Sequence, residues 1–141
     1  ELDLAPDLES VECYSGDIKQ AVLNLITNAA HAVARTQGQK EKKGTIRIAT
    51  RNLPDAVEIS VSDTGIGIPE DAEPRLFEPF FTTKQAGEGT GLGLTIVHSL
   101  IVRKHGGTLD FTSEPGKGTT FAIRLPLRHH EQKQERGADR P

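Results

Sequence analysis

The stretch that decides the fold runs from residue 87 to residue 94 and reads Gly-Glu-Gly-Thr-Gly-Leu-Gly-Leu. Its four alternating glycines would expose successive backbone N–H groups, an arrangement that binds anions. The apolar residues that follow repeat at helical spacing, so we expect a helix over residues 95–105 whose N-terminus adds to the same site. A flexible linker is the alternative, but Leu92 and Leu94 continue into the apolar face of that helix. The pattern therefore favours a site for a polyphosphate.

The rest of the chain alternates between helix and strand periodicity. Residues 15–33 place apolar side chains every three or four positions, which predicts an amphipathic helix of about five turns, with Ser15 as its cap and Asp17 in its first turn. Further segments with strand or short-helix patterns are residues 1–14, 45–51, 57–62, 69–76, 109–112 and 119–125. Because the strands are joined by short turns, we expect an α+β fold. It would be a two-layer α/β sandwich with a mixed, mostly antiparallel sheet, about three helices on one face and a long functional loop between them.

Composition narrows the classes of protein that the chain can be. Its 141 residues suit one domain, which we expect over residues 1–128, with a polar tail or linker over residues 129–141. A net charge of −3 argues against nucleic-acid binding. No apolar run is long enough for a membrane span, so we expect no membrane contact and a cytoplasmic location. The chain has no Met and opens at Glu1, and we expect it to be part of a longer protein.

A polar stripe accompanies the apolar face of the first predicted helix. On a helical wheel, Asn24, Asn28 and His31 fall close together. Two asparagines four residues apart place two amide oxygens side by side, which suits a hard cation and its waters. Hydrogen bonds from the same amides to a neighbouring loop are the alternative, and the stripe alone does not exclude it.

Residues 63–69 read Asp-Thr-Gly-Ile-Gly-Ile-Pro and come directly off a predicted strand. Gly65 and Gly67 would let a flat ligand approach the backbone closely, and Asp63 could accept a hydrogen bond from an exocyclic amine. Ile66 and Ile68 could line an apolar slot. A simple turn that leaves the strand also uses Asp and Gly, so this reading stays open.

Lys84 closes the segment Phe-Phe-Thr-Thr-Lys at residues 80–84. It lies shortly before the glycine run and could reach a terminal phosphate, although a lysine in a polar loop is more often solvated. The five histidines share no spacing typical of a zinc site.

Five blocks, taken in order, resemble the ATP-binding catalytic domain of two-component sensor histidine kinases. That domain belongs to the wider family of gyrase, heat-shock chaperone, histidine kinase and mismatch-repair ATPases. The matching blocks are residues 24–29 (NLITNA, the N box), 63–69 (the first glycine box), 76–84 (LFEPFFTTK, the F box), 89–94 (GTGLGL, the second glycine box) and 116–120 (GKGTT). The form of the F box and the residues NAAHAV look most like the nitrogen-regulation branch.

The resemblance implies ATP and Mg²⁺ as cofactors, with a lid over residues ~70–90. Asn28, with Asn24 beside it, would hold Mg²⁺, and Asp63 would hydrogen-bond the adenine amine with help from Thr119. Lys84 would approach the γ-phosphate, and it is implied as catalytic together with Asn24. Further residues implied to contact the nucleotide are His31, Gly65, Gly67, Ile68, Phe80, Gly89, Thr90, Gly91, Leu92 and Gly93. Many members of the family carry Lys and an aromatic residue where this chain has His31 and Ala32.

The resemblance also implies a function and partners. The domain would position Mg-ATP for transfer of the γ-phosphoryl group to a histidine on a separate dimerisation hairpin, and from there to a response regulator receiver domain. This chain lacks the hairpin, because His130-Glu131 follows the predicted domain and does not match the family pattern. The chain itself would be a monomer. The alternative is a nucleotide-switched docking module without kinase activity. ATP hydrolysis of the gyrase type is disfavoured, because Asn24 stands where those relatives carry an acidic general base.

Overall fold

The computed structural model describes residues 1–36, 43–78 and 93–127. In chain order the elements are β1 (Leu2–Asp3), α1 (Ser15–Ala34), β2 (Ile46–Asn52), β3 (Ala56–Asp63), a 3₁₀ helix (Glu70–Arg75), α2 (Gly93–His98) with a π-helical continuation (Ser99–Lys104), β4 (Thr108–Glu114) and β5 (Gly118–Pro126).

The strands form one sheet in the order β1-β2-β3-β5-β4. Only β1 and β2 are parallel among these neighbours, and the other three pairs are antiparallel. The helices pack on one face of this sheet, so the predicted two-layer α+β sandwich is confirmed. The core lies between the layers, and its most deeply buried apolar side chains are Ala21, Leu25, Val61, Val97, Ile101 and Ile123.

The first helix begins where the apolar spacing predicts, but its cap differs from the prediction. Tyr14, not Ser15, is the N-cap residue, and no side chain caps the helix. The buried ring of His105, only 2% exposed, explains the difference. Its Nε2 accepts a hydrogen bond from the Tyr14 N–H at 3.0 Å, and its Nδ1 lies 2.7 Å from the Leu100 carbonyl oxygen. A tertiary contact, which local sequence does not encode, therefore fixes where α1 starts.

Two other expectations need correction. Within residues 1–14, a segment with a predicted strand pattern, only Leu2–Asp3 forms a strand. The helix predicted over residues 95–105 begins at Gly93, and its last turns are π-helical rather than α-helical. Within this segment the Leu100 carbonyl oxygen lies 2.7 Å from His105 Nδ1.

The opposite face of the sheet carries a charged cluster. Glu58 is only 7% exposed and lies between two arginines, with Arg51 Nε at 2.7 Å and Arg124 Nε at 2.9 Å from its carboxylate oxygens. Its hydrogen bond to Arg51 lowers the pKa of Glu58, with Arg124 adding to the effect against the cost of burial. This face therefore relies on ion pairs, and the helix-covered face on apolar packing.

In the part of the chain that the structure describes, every helix is too short or too polar to cross a membrane.

Candidate functional site

Asp63 ends β3 and forms the centre of the site. Its Oδ1 accepts a hydrogen bond from the Gly65 N–H at 2.9 Å, and the backbone N–H of Thr119 also donates to its carboxylate. Burial raises the pKa of Asp63, and these two backbone donors oppose that effect. The carboxylate is thus held in a fixed orientation with part of its accepting capacity committed to the backbone.

Gly65 brings the loop after β3 against the C-terminal end of α1. A Cβ at this position would lie 2.5 Å from the carbonyl carbon of Ala32 and 2.7 Å from its Cβ. The neighbouring Ile66 N–H donates to the Ala32 carbonyl oxygen at 3.3 Å. Gly65 is therefore required for close approach between the loop and the helix, whereas the predicted close approach of a flat ligand stays a prediction.

Gly67 lies in a turn, which is the alternative prediction for the same motif. Its φ of +75° is rare for residues with a side chain. A Cβ at Gly67 would also collide with the backbone of Glu114. The loop is held there by the Gly116 N–H, which donates to the Ile66 carbonyl oxygen at 2.7 Å. The turn that the alternative reading predicts is thus present at Gly67.

Three hydroxyl and amide groups connect this loop to the β4–β5 hairpin. The Ile68 N–H donates to Ser113 Oγ at 2.8 Å, and Ser113 Oγ lies 2.9 Å from Thr119 Oγ1 and 3.2 Å from the Gly118 carbonyl oxygen. Thr119 is 6% exposed. Sequence reasoning found Thr119 and missed Ser113. The signal available was strand alternation, which puts Ser113 on the same face as Phe111 in the core.

The polar stripe of α1 faces the first residue of α2. Asn24 Nδ2 lies 3.5 Å from the Gly93 carbonyl oxygen, and the Asn24 Oδ1 accepts from Gln20 Nε2 at 3.1 Å. Asn28 Oδ1 lies 3.8 Å from where a Cβ of Gly93 would be. The structure therefore brings Asn24, Asn28 and Gly93 together, at the end of the glycine run.

His31 lies one helical turn beyond Asn28 and is half-buried. Its Nδ1 has almost no exposed surface, and within the described residues it has no hydrogen-bond partner. A buried ring nitrogen without a hydrogen-bond partner is uncommon in folded proteins.

A cleft of about 860 Å³ opens beside the loop that follows β3. Arg35 at the end of α1, Ile66 and Pro115 are among the residues that line it. Ile66 thus faces the cleft, whereas the side chain of Ile68 packs against the core. Across residues 1–36, 43–78 and 93–127, no three His, Cys, Asp or Glu side chains cluster closely enough to hold a metal ion.

Comparison with known proteins identifies the family of this chain. The family model described as histidine kinase-, DNA gyrase B- and HSP90-like ATPase matches residues 14–129. The chain belongs to this ATPase family. The domain is accordingly of the ATP-binding type.

The similar proteins are sensor kinases. The sensor kinase CckA of Brucella abortus is 41% identical, over 89% of this chain and 14% of its own length. The sensor histidine kinase ZraS of Klebsiella oxytoca is 41% identical, over 94% of this chain and 26% of its own length. The chain therefore spans only 14% and 26% of the lengths of these two curated relatives.

Solved structures place the ATPase domain in the same group. The catalytic domain of histidine kinase ThkA has a TM-score of 0.73 at 32% identity, covering 89% of this chain and 78% of that one. Full-length ShkA in complex with AMPPNP has a TM-score of 0.73 at 30% identity, covering 90% of this chain and 25% of that one. The chain is thus an ATPase domain of the type that forms the catalytic domain of sensor histidine kinases.

Several predicted contacts of this ATPase domain fall on residues that the structure does not describe. They are Phe80, Lys84, Gly89, Thr90, Gly91 and Leu92, together with most of the predicted lid and the tail from residue 129. The structure brings the remaining predicted residues into two groups, one around Asp63 and Thr119 and one around Asn24, Asn28 and Gly93. The helix α1 connects the two groups, because Ala32 contacts the loop after Asp63 and Asn24 lies beside Gly93. Ala32 and Asn24 are eight residues apart, so the two groups are separated by about 12 Å along the helix axis.

Proposed function

We propose that this domain binds Mg-ATP and delivers its γ-phosphoryl group to a histidine on a separate dimerisation hairpin of a sensor histidine kinase. The observation that carries the proposal is the half-buried Asp63 carboxylate, held by the N–H groups of Gly65 and Thr119. The sensor-kinase relatives support the same activity. The receiver domain of a response regulator would be the later acceptor, and the proposal includes a monomeric chain that acts in the cytoplasm.

Asp63 explains why the nucleotide would carry adenine. An ionised carboxylate is only an acceptor, so it pairs with a donor such as the exocyclic amine of adenine. Guanine presents a carbonyl oxygen at that position, which would face the carboxylate with like partial charge. The fixed orientation of Asp63 therefore favours ATP over GTP. Gly65, which has no side chain, would leave the backbone accessible next to the base.

The group around Asn24, Asn28 and Gly93 would hold the phosphates and the metal. Mg²⁺ prefers oxygen ligands and retains several waters, so one protein amide oxygen with the phosphates can suffice. Asn28 would take this role, with Asn24 one turn away, because both lie beside Gly93 at the end of the glycine run. Bound Mg²⁺ would neutralise charge on the transferring phosphoryl group. His31, one helical turn beyond Asn28, would contact a phosphate oxygen.

The proposed chemistry assigns positioning to this domain, not activation of a nucleophile. Asn24 is an amide and cannot take a proton from an attacking water, so hydrolysis is disfavoured. Phosphoryl transfer depends mainly on alignment and charge stabilisation. The histidine of the hairpin would supply its own nucleophilic nitrogen, and the domain would present the γ-phosphoryl group to it.

Calorimetric titration of ATP into the chain, with and without Mg²⁺, tests the nucleotide site. We expect binding by the native chain, a changed affinity with Mg²⁺, and loss of binding in Asp63→Asn. Asp110→Asn is the matched control, because Asp110 lies on the exposed face of β4 and pairs with Arg124 at 3.5 Å. If a folded native sample shows no ATP binding, the proposal is wrong.

Transfer is tested by mixing the ATP-loaded chain with a purified hairpin that carries a phosphoacceptor histidine from a sensor kinase. Formation of acid-labile phosphohistidine, absent with Asp63→Asn, is the expected result. ATP binding without transfer to the hairpin of its own parent kinase would favour the alternative, a nucleotide-switched docking module.

A further inference from the structure

A side-chain hydrogen bond attaches α2 to the segment that follows the 3₁₀ helix. The hydroxyl of Thr95 donates to the Phe77 carbonyl oxygen, and the two oxygens are 2.9 Å apart. A carbonyl oxygen only accepts, so the direction of this bond is fixed. The two residues are 18 positions apart in the chain. The bond is therefore a tertiary contact and not a cap of the helix to which Thr95 belongs.

The ring of Phe77 is in contact with α2 as well. Its centroid lies 5.3 Å from that of His98, which follows Thr95 in the same helix. It also lies 6.1 Å from the centroid of Phe111 in β4, in an edge-to-face arrangement. Apolar packing of this kind has little directional preference, whereas a hydrogen bond does. Phe77 therefore joins α2 to β4, and the Thr95 hydroxyl sets the position of α2 along this contact.

The same turn of α2 carries the group proposed to hold the phosphates. Gly93 precedes Thr95 by two residues, and its carbonyl oxygen lies 3.5 Å from Asn24 Nδ2. Asn28 Oδ1 lies 3.8 Å from where a Cβ of Gly93 would be. The start of α2 thus contacts α1 through Gly93 and the segment at Phe77 through Thr95.

The group proposed to hold the base is attached by different bonds. Asp63 at the end of β3 accepts from the Gly65 N–H at 2.9 Å and from the backbone N–H of Thr119. These bonds do not involve α2, and this group is separated from the phosphate group by about 12 Å along α1. A change at Thr95 should therefore act on the phosphates and not on the base.

We propose that Thr95 is a positioning residue for the phosphate chain of the nucleotide. Its bond to Phe77 keeps the start of α2 where Asn28 and Gly93 would meet the phosphates. The predicted phosphate contacts within residues 84–93 lie in sequence between Phe77 and Thr95, so this bond also joins the two sides of that segment. A segment whose sides are already joined loses less conformational entropy when a ligand orders it. This inference rests on the proposed function and adds a positioning residue to it.

The test compares ATP with adenosine, which carries the base without the phosphates. Thr95→Val removes the hydroxyl and keeps a β-branched side chain of similar shape. By NMR titration we expect its ATP affinity to fall about three- to tenfold, the effect of one hydrogen bond, and its adenosine affinity to stay within about twofold of the native value. A residue that only supports the fold would leave the ratio of the two affinities unchanged.

Matched variants separate positioning from folding. Thr36→Val is the control, because Thr36 Oγ1 also donates to a backbone carbonyl oxygen, that of Val33 at 2.7 Å, at the end of α1. It should bind both ligands as the native chain does. Thr95→Ser retains the hydroxyl and should restore ATP binding. If Thr95→Val fails to fold by thermal melting, Thr95→Ala, a better helix former, replaces it and should show the same selective loss.

The outcomes are distinguishable. If Thr95→Val weakens ATP and adenosine equally, or leaves both unchanged, the inference is wrong while the nucleotide site stands. A native chain that binds adenosine as tightly as ATP would overturn the inference together with the proposed phosphate contacts. Failure of the native chain to bind either ligand would overturn the proposed function, and this inference with it.

Discussion

Replacement of Gly65 by alanine tests the contact between the loop after β3 and the end of α1. The new Cβ would lie 2.5 Å from the carbonyl carbon and 2.6 Å from the carbonyl oxygen of Ala32. Nonbonded carbon atoms prefer about 3.5–4.0 Å, so the loop or the helix must move by about 1 Å. Both obstacles are backbone atoms of a helix, which cannot turn aside as a flexible side chain can.

A movement of that size affects two hydrogen bonds. The Ile66 N–H to Ala32 bond is already 3.3 Å long, and the Gly65 N–H to Asp63 bond is 2.9 Å. Overpacking typically costs about 1–3 kcal/mol, and a hydrogen bond to a charged group contributes about 1.5–3 kcal/mol. Because these effects overlap, we expect Gly65→Ala to lower the free energy of unfolding by about 2–4 kcal/mol.

Thermal melting followed by circular dichroism measures this effect, and we expect the melting temperature to fall by about 6–12 °C. ATP titration of the same variant should show an affinity at least about tenfold lower, because one lost charged hydrogen bond is worth that much. Gly16→Ala is the control, since a Cβ at Gly16, also in α1, meets no atom within 4 Å. A Gly65→Ala variant that melts and binds ATP like Gly16→Ala would refute the close-approach argument.

Two further predictions concern pH. Because burial raises the folded pKa of Asp63, its contribution to stability is present below the unfolded pKa and is lost as pH rises through the folded pKa. At neutral pH the free energy of unfolding of Asp63→Asn should therefore be higher than that of the native chain, and this difference should be smaller near about pH 4. Denaturant titration at both pH values measures it. Glu58 has the opposite sign, because Arg51 lowers its folded pKa. Its contribution is present above the unfolded pKa and is lost as pH falls through the folded pKa, so Glu58→Gln should destabilise by about 1 kcal/mol at neutral pH and less in acid. An equal loss at both pH values would contradict the ion-pair account.

The sequence predicted the elements whose pattern is local. The apolar spacing of residues 15–33 predicts α1, observed as Ser15–Ala34, because a helix buried on one face must repeat apolar side chains at that period. The two central strands and the β4–β5 hairpin follow from alternation and short turns. Asp63, Gly65 and Gly67 could likewise be found as candidates, since their motif is contiguous.

Features that depend on contacts between distant residues could not be predicted. The N-cap at Tyr14 depends on His105, which is 91 residues away. Strand alternation indicates the face on which Ser113 lies, but the register that places it opposite Thr119 is not visible in the sequence. The different roles of Gly65 and Gly67 could not be predicted either. Gly65 is required because a side chain would not fit there, and Gly67 is required because of its positive φ.

The attachment of α1 at both ends has a consequence for its length. At one end the Tyr14 N–H donates a hydrogen bond to His105 Nε2. At the other end the Ala32 carbonyl oxygen accepts a hydrogen bond from the Ile66 N–H. Insertion of one residue between these points would lengthen the helix by about 1.5 Å and rotate everything beyond it by about 100°. Asn28 would then turn away from Gly93, or one attachment would break. Variation in length should therefore be poorly tolerated inside α1, even on its exposed face, where substitutions should be accepted readily.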